Sequence, residues 1–423
     1  MLAGRGEVVR GIDSGHPEGA AGLAGVGVEV VLDTDGLALL EGTRTVVKSP
    51  GVPREAPVIA AALERGIEVV GELELAWRAI PNRFVAVTGT NGKTTTVELL
   101  GHLYRTAGEP VAVAGNVGTP LSSLVGVVDP SATVVCEASS FQLEDSDAFA
   151  PECAVFLNLA PDHLDRHADL ESYLAAKLRL FANQGNDDVA VYNADEPALA
   201  GVDLGGCARR VAFCHGAAPD CEVSLAGRTL FHDGEPLLDV DELDLFGEHN
   251  VANAMAAATA VLSMGLDRDA VREGLSSFAG VPHRLEQVAE IGGVRFVNDS
   301  KATNAAAATV GLRAFDGGVH AILGGSEKDE PFALLADPVR ETCSACYLIG
   351  ASANRLAAEL AAVVEAGVEL RRCADLEDAV RTAAAAARAG EVVLLSPACA
   401  SFDAFENYEK RGERFREIVE GLR

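Results

Sequence analysis

Val85-Ala86-Val87-Thr88-Gly89-Thr90-Asn91-Gly92-Lys93-Thr94-Thr95 is the stretch that decides the fold. Its apolar start has the length of one buried strand, and after the Gly-rich turn Val97, Leu100, Leu103 and Tyr104 recur at helical spacing. Strand, loop and helix in that order wrap 89–94 around a helix N-terminus, where free N–H groups and the helix dipole attract phosphate. Glycines let the backbone approach an anion, Lys93 can bridge β- and γ-phosphates, and Thr94 can offer its hydroxyl to Mg²⁺. The expectation is a nucleotide site built from Gly89, Thr90, Asn91, Gly92, Lys93, Thr94 and Thr95. Val87 stands where the usual GxxxxGK[ST] spacing has its first glycine.

Outward from this loop, strand and helix signals alternate along most of the 423 residues. That is the pattern of an α/β protein with largely parallel sheets. The chain is too long for one compact core, and three domains are expected. The first covers 1–82, where short apolar runs at 29–32 and 45–47 alternate with Gly-rich turns and Pro57 suits the first position of a helix. The second covers 83–280, with strands expected at 84–87, 134–136, 155–158 and 189–192. Between 206 and 246 the helical signal fades and Gly and Asp are frequent, which predicts a small β-rich insertion. The third covers 281–423, with strands at 294–297, 321–323, 347–349 and 392–395, and with Asp375 placed to cap a helix.

Composition narrows the function. The formal charge of -29 opposes nonspecific nucleic-acid binding, so acidic ligands must meet local positive charge. Only six lysines are present, and four of them, Lys93, Lys177, Lys301 and Lys328, fall in polar motif-like stretches, leaving Lys48 and Lys410 elsewhere. No run of eighteen residues lacks polar breaks, and the start lacks the apolar core of a signal peptide, so a cytoplasmic protein without membrane insertion is expected. Nine scattered cysteines fit reduced thiols better than a disulfide framework. Cys343 and Cys346, a lone CxxC, read as ordinary buried thiols, as do Cys207, Cys214 and Cys221.

Further polar clusters follow the apolar runs. Glu137 comes directly after one, at the C-terminal edge of the expected sheet, where Mg²⁺ needs an oxygen ligand. Asn158 ends the next run and leads into Pro161-Asp162-His163-Leu164-Asp165-Arg166-His167. A helix-capping turn accounts for the aspartates alone; His163 adds the alternative of a metal or substrate site. Gly115-Asn116-Val117-Gly118 forms a second tight turn, and Ser139-Ser140-Phe141-Gln142 carries hydroxyl and amide groups that suit a polar substrate.

Together TGTNGKTT (88–95), GNVG (115–118), EASSFQLE (137–144), NLAPDHLDRH (158–167), AAKLRLF (175–181), GEHNVANA (247–254), PHRLE (282–286), NDSKATN (298–304), LGGSEKD (323–329) and SPACASFDAFENYEKRG (396–412) resemble, in this order, the Mur ligases. NDSKATN and SPACASFD resemble the D-glutamate-adding type in particular, and the DNPR signature of the next ligase in the series is absent. The resemblance implies a Rossmann-like N-terminal domain, a central P-loop ATPase domain, and a Rossmann-like C-terminal domain that closes over ATP. It implies an ATP-dependent amide ligase of peptidoglycan precursor synthesis; a monomer is expected, although nothing in the sequence reveals the oligomeric state. ATP would phosphorylate the carboxylate of UDP-N-acetylmuramoyl-L-alanine, and the amine of D-glutamate would displace the phosphate. The rivals are another Mur-type or folylpolyglutamate-type ligase, which a substrate panel separates, and a noncatalytic nucleotide-binding protein, which the intact lysines and Glu137 count against.

Residue roles carry over where motifs match. Glu137 and His163 resemble Mg²⁺ ligands, joined by Thr94. Lys177, which from its surroundings alone reads as a helix-surface lysine, resembles the lysine that the family carbamylates with CO₂ to make an anionic metal ligand. Asn253, Arg284 and Asp299 resemble nucleotide contacts, and Asn116, Ser139 and Gln142 resemble contacts to the muramoyl substrate. Lys301, Thr303, Lys328, Ser401 and Tyr408 match the glutamate site, although Tyr408 stands where phenylalanine is expected. The family's opening strand and Gly-rich turn, which help hold the UDP phosphates, have no counterpart in this sequence. Asp13, Ser14, Ser49 and Gly51 are the UDP-side candidates that are present, and the chain is expected to bind ATP but to hold the UDP substrate poorly.

Overall fold

The computed structural model describes the chain except for residues 18–19, 163–165, 217–220, 246 and 327–330. Two compact units emerge: Met1–Leu243 with Ala252–Ser276, and Asp244–Val251 with Ser277–Arg423.

In the first unit, β1 (Arg10–Ile12) pairs in parallel with β2 (Glu29–Val31), and β3 (Thr45–Lys48) with β4 (Glu68–Gly71). Among the described residues no ladder joins the two pairs. Pro57 occupies the first turn of the helix Pro57–Glu64, where its missing N–H costs nothing. The next helix, Glu72–Trp77, buries Leu73 and Ala76 against Phe84, Leu143 and Phe149. The N-terminal block therefore shares a core with the sheet that follows.

That sheet contains β5 (Phe84–Thr88), β6 (Val111–Gly115), β7 (Thr133–Glu137), β8 (Cys153–Phe156), β9 (Val189–Asn193), β10 (Arg209–His215), β11 (Cys221–Ala226), β12 (Thr229–His232) and β13 (Glu235–Asp239). Their spatial order is β13-β12-β11-β10-β9-β8-β5-β7-β6. Pairing is parallel from β6 to β11 and antiparallel through β12 and β13. The expected β-rich insertion thus extends the main sheet. Every residue of β5 and β8 is buried, as both faces of a parallel sheet require. Because β5 lies between β7 and β8, strand order reverses there, and the loops after these strands gather at the crevice where open α/β sheets bind ligands.

Gly115 closes β6 with φ of +124°, and a Cβ there would overlap the backbone of Glu137 on β7. Gly115→Ala is expected to cost about 2 kcal/mol or more of stability, read by urea denaturation, since both the backbone angle and the space oppose it.

In the second unit β14 (Glu286–Ile291), β15 (Val294–Asn298), β16 (Val319–Gly324), β17 (Cys343–Ile349), β18 (Glu369–Arg372) and β19 (Val392–Leu395) form a sheet of order β14-β15-β19-β16-β17-β18. It is parallel except for β14. One apolar cluster covers each face: Leu323, Leu348, Leu356 and Leu394 belong to one, Phe296, Ile322, Leu395 and Phe415 to the other. Asp375 caps the helix Leu376–Ala386 by accepting from the Asp378 amide.

The cysteine reading needs correction at three positions. Cys343 and Cys346 are buried thiols, as expected, but Cys207 is exposed and Cys214 and Cys221 are joined as a disulfide. β10 and β11 run side by side and hold the two Cα atoms 6.1 Å apart, within disulfide range, which spacing along the chain does not reveal. Asn158, expected at the end of β8, lies two residues beyond it.

Candidate active site

The phosphate loop begins where β5 ends and turns into the helix Lys93–Thr106. Val97, Leu100, Leu103 and Tyr104 are all buried, so the helix has the apolar face read from its spacing. Gly92 starts it with φ of +82°, and a Cβ there would overlap the amide oxygen of Asn253. Asn253 is itself buried, which brings the helix Glu248–Ser263 against the loop. Asn158 braces the other side: its Oδ1 accepts from the Asn91 amide at 2.9 Å and its Nδ2 donates to the Asn91 carbonyl at 3.1 Å. Thr90 is tied to the same segment, since its hydroxyl exchanges hydrogen bonds with the Ala160 backbone.

Two lysines meet in this loop. Lys93 Nζ donates to the carbonyls of Gly89 at 3.0 Å and Thr90 at 2.8 Å. Lys177 Nζ donates to the same Gly89 carbonyl at 2.8 Å and lies 4.4 Å from the centre of the Tyr173 ring. Lys177 is 1 % exposed, so the helix-surface reading of its neighbourhood was wrong. Burial first, and the nearby Lys93 charge second, push its ammonium down to about 7. A sizeable fraction is therefore the neutral, nucleophilic amine near neutral pH.

Glu137 closes β7 beside this group and is 3 % exposed. Its Oε2 accepts from the Thr94 hydroxyl at 2.7 Å and its Oε1 from Asn116 Nδ2 at 3.1 Å. A hydroxyl and a carboxylate at hydrogen-bond distance, beside a phosphate loop, are the hard oxygen donors Mg²⁺ takes along with phosphate and water. Among the described residues no group of three or more His, Cys, Asp or Glu side chains is placed to hold a metal ion. His163 lies outside the described residues.

Ser139 and Gln142 cap each other. The Ser139 hydroxyl accepts from the Gln142 amide at 3.3 Å, and Gln142 Oε1 accepts from the Ser139 amide at 3.1 Å. The S-x-x-Q spacing is a capping-box signature that a reading for substrate groups passed over. Asp13 is used locally, accepting from the Gly15 amide, and Asp13, Ser14, Ser49 and Gly51 are all exposed. The side chain missed altogether is Lys48: it is buried and paired at 2.6 Å with Asp145, also buried.

The second unit assembles its own cluster. His283 and Leu285 flank Arg284 with φ of +62° and +44°, and Ala398 has φ of +60°. Non-glycine residues in this region concentrate where function holds strain. The turn is fixed by the His283 amide donating to Glu286, the Leu285 amide donating to Asp299, and the Lys301 amide donating to the His283 carbonyl. Lys301 Nζ lies 5.8 Å from the centre of the Tyr408 ring, and the Tyr408 carbonyl accepts from the Ser300 hydroxyl. The Thr303 amide donates to the Lys301 carbonyl, and Ser401 is buried. Arg411, also buried, donates to Ser300 and to the carbonyls of Cys399 and Ala400, joining the 298–304 and 396–401 segments. Lys328 lies outside the described residues.

Asp299 is buried and accepts from the Ser396 hydroxyl at 2.7 Å, yet desolvation pushes its carboxyl up to about 7. Its folded pKa exceeds the unfolded value of about 3.9, so the folded chain binds more protons between pH 4 and 7 and stability falls as pH rises through that window. Asp299→Asn is therefore expected to raise Tm at pH 8 and to change it little at pH 4; equal shifts at both would refute the assignment.

Sequence comparison gives this arrangement its relatives. The profile for the Mur ligase middle domain matches residues 87–261, and that for the Mur ligase glutamate ligase domain matches 283–399. The UDP-N-acetylmuramoylalanine--D-glutamate ligase of Solibacter usitatus is 40% identical over 422 residues, covering 100% of this chain and 94% of that protein. Its namesake from Pelotomaculum thermopropionicum is 41% identical over 431 residues, with the same coverage. The chain belongs to the Mur ligase family. Its fold agrees with that of a solved Mur ligase: the UDP-N-acetylmuramate-alanine ligase of Thermotoga maritima aligns over 99% of this chain and 95% of its own, with a TM-score of 0.60 at 20% identity. Among the described residues, no helix of this Mur ligase is long and apolar enough to cross a membrane.

Proposed function

We propose that this Mur ligase joins D-glutamate to UDP-N-acetylmuramoyl-L-alanine at the expense of ATP. The observation that carries the proposal is full-length similarity, at about 40% identity, to proteins named for that reaction. It is supported by the Gly-rich loop with a buried Glu137 beside it and, in the second unit, by Lys301 beside the Tyr408 ring.

A carboxylate resists attack by an amine until one oxygen becomes a good leaving group. Lys93 and the loop amides would hold the ATP phosphates and orient the terminal phosphoryl group toward the alanyl carboxylate. Thr94 and Glu137 would hold Mg²⁺, with His163 as a further ligand; the ion supplies charge neutralisation on the phosphates. Asn253, Arg284 and Asp299 would hold the remainder of the nucleotide. Asn116, Ser139 and Gln142 would face the muramoyl substrate, and Asp13, Ser14, Ser49 and Gly51 the UDP group. Lys301, Lys328, Thr303 and Ser401 would bind the two carboxylates of D-glutamate, with Tyr408 packed against them. The glutamate amine then attacks the acyl phosphate, and the tetrahedral adduct expels phosphate as the amide forms.

Lys177 fits carbamylation. A buried ammonium with its pKa near 7 can lose one proton to give the amine, which adds CO₂ through a new N–C bond and releases a second proton, so that a cation would become an anionic ligand suited to Mg²⁺.

The test is phosphate release from ATP with both co-substrates present and with each omitted in turn. Release that needs UDP-N-acetylmuramoyl-L-alanine and D-glutamate together is expected. Release supported equally by a folate-like acceptor and L-glutamate would overturn the substrate assignment.

A further inference from the structure

We propose that Arg166 is a positioning residue for the UDP-sugar substrate, acting through the backbone of residues 48–52. The proposal rests on the assignment of Ser49 and Gly51 to that substrate. The guanidinium donates to two consecutive carbonyls, Gly51 and Val52, each at 3.2 Å, across more than a hundred residues of chain. Lys48 Nζ donates to the same Val52 carbonyl at 2.7 Å. Asp145 anchors Lys48 at 2.6 Å, and Arg54 lies 3.4 Å from its other oxygen. Two consecutive carbonyls are therefore turned toward fixed cations while Ser49 and Gly51 remain exposed.

Arg166 is fixed in turn by an aromatic platform. Its guanidinium lies 5.1 Å from the centre of the Phe141 ring, and His167 stacks on the same ring with centroids 5.5 Å apart and planes 7° from parallel. His167 Nε2 is 3.0 Å from the Ser140 hydroxyl. Ser140 and Phe141 open the helix Ser140–Glu144, whose cap is the Ser139–Gln142 pair. The loop assigned to the UDP group and the residues assigned to the muramoyl group are thus connected through one chain of contacts, and Arg166 is the bridge between them. The planar fork of arginine suits two adjacent carbonyls and a ring face; the single ammonium of lysine does not. Arg166 and His167 lie in the polar cluster whose aspartates and His163 the sequence reading weighed for capping or metal binding, and the structure gives this end of it a different task.

Arg166→Gln and Arg166→Lys are to be compared with the unaltered enzyme in the phosphate-release assay, with the KM of each substrate measured separately. Arg166→Gln is expected to raise KM for UDP-N-acetylmuramoyl-L-alanine about tenfold or more, with Arg166→Lys intermediate and the KM values for ATP and D-glutamate within about twofold. Thermal unfolding checks that both variants are folded. A parallel rise in all three KM values, or a loss of kcat with no change in KM, would overturn the proposal. Ser49→Trp, placed on the exposed side of the loop, separates the two ideas. An unchanged KM for the UDP substrate there would remove the loop from the substrate site and the proposal with it. A raised KM there, beside an unchanged one in Arg166→Gln, would overturn the role of Arg166 alone.

Discussion

Lys177→Ala is expected to lower turnover by about a hundredfold or more while ATP still binds within about threefold of the normal affinity. The ε-amino group lies in the loop's interior, bonded to the Gly89 carbonyl, and its proposed task is to carry a metal-binding carbamate during chemistry. Nucleotide affinity instead draws on the loop amides and Lys93, which the substitution leaves in place. Fluorescent-nucleotide binding and steady-state phosphate release measure the two quantities independently. Unchanged turnover at limiting Mg²⁺ would remove Lys177 from the reaction.

The same burial makes Lys177 a cost to the fold. Its folded pKa of about 7 lies below the unfolded value of about 10.4, so between those limits the unfolded chain binds more protons and stability rises with pH. Below pH 7 the cost of burying the ammonium is fully present, and it is relieved as pH climbs toward 10. Lys177→Met is accordingly expected to raise Tm at pH 6.5, with the gain shrinking by pH 9.5. Activity would be lost at every pH, as happens when a functional group is retained against the interest of stability.

The second large effect is at Glu137. Replacement by Gln keeps the shape and an oxygen to accept from Thr94 or Asn116, but removes the charge that Mg²⁺ requires. Turnover is expected to fall by about three orders of magnitude, with thermal stability nearly unchanged because the buried amide needs no counter-ion. If added Mn²⁺ or higher Mg²⁺ restores part of the rate, metal binding is the lost function. A large drop in Tm would instead make Glu137 a structural residue.

Much of this architecture was legible because it is local. Phe84 to Val87 reads as a buried strand from four consecutive apolar residues, one short of the observed end at Thr88, and Val97, Leu100, Leu103 and Tyr104 announce their helix by spacing. Pro57 and Asp375 marked helix starts for reasons that operate within a single turn. What escaped depends on distant parts of the chain meeting. Lys48 carries no motif, and only its meeting with Asp145 makes it a buried cation. Arg166 likewise finds its carbonyls in a different block of sequence. The Cys214–Cys221 bond is a second kind of miss: the two residues are seven apart, and it is the neighbouring of β10 and β11 that brings them together. Gln142 shows a third kind of miss: its amide was seen, but its local partner Ser139 was not recognised as the one it satisfies. Lys177 shows a fourth, because from the residues alone it was placed on a helix surface, and only resemblance marked it as special.

The distribution of lysines also determines how the protein meets amine-reactive reagents. Lys48 and Lys177 are buried, Lys93 and Lys301 are half-buried, and among the described residues Lys410 is the one exposed lysine. An acylating reagent applied to the folded enzyme should therefore label Lys410 first and spare Lys48 and Lys177 until the first unit opens. Mass spectrometry of those two positions after a short pulse at rising temperature turns them into an internal gauge of unfolding, with no introduced probe.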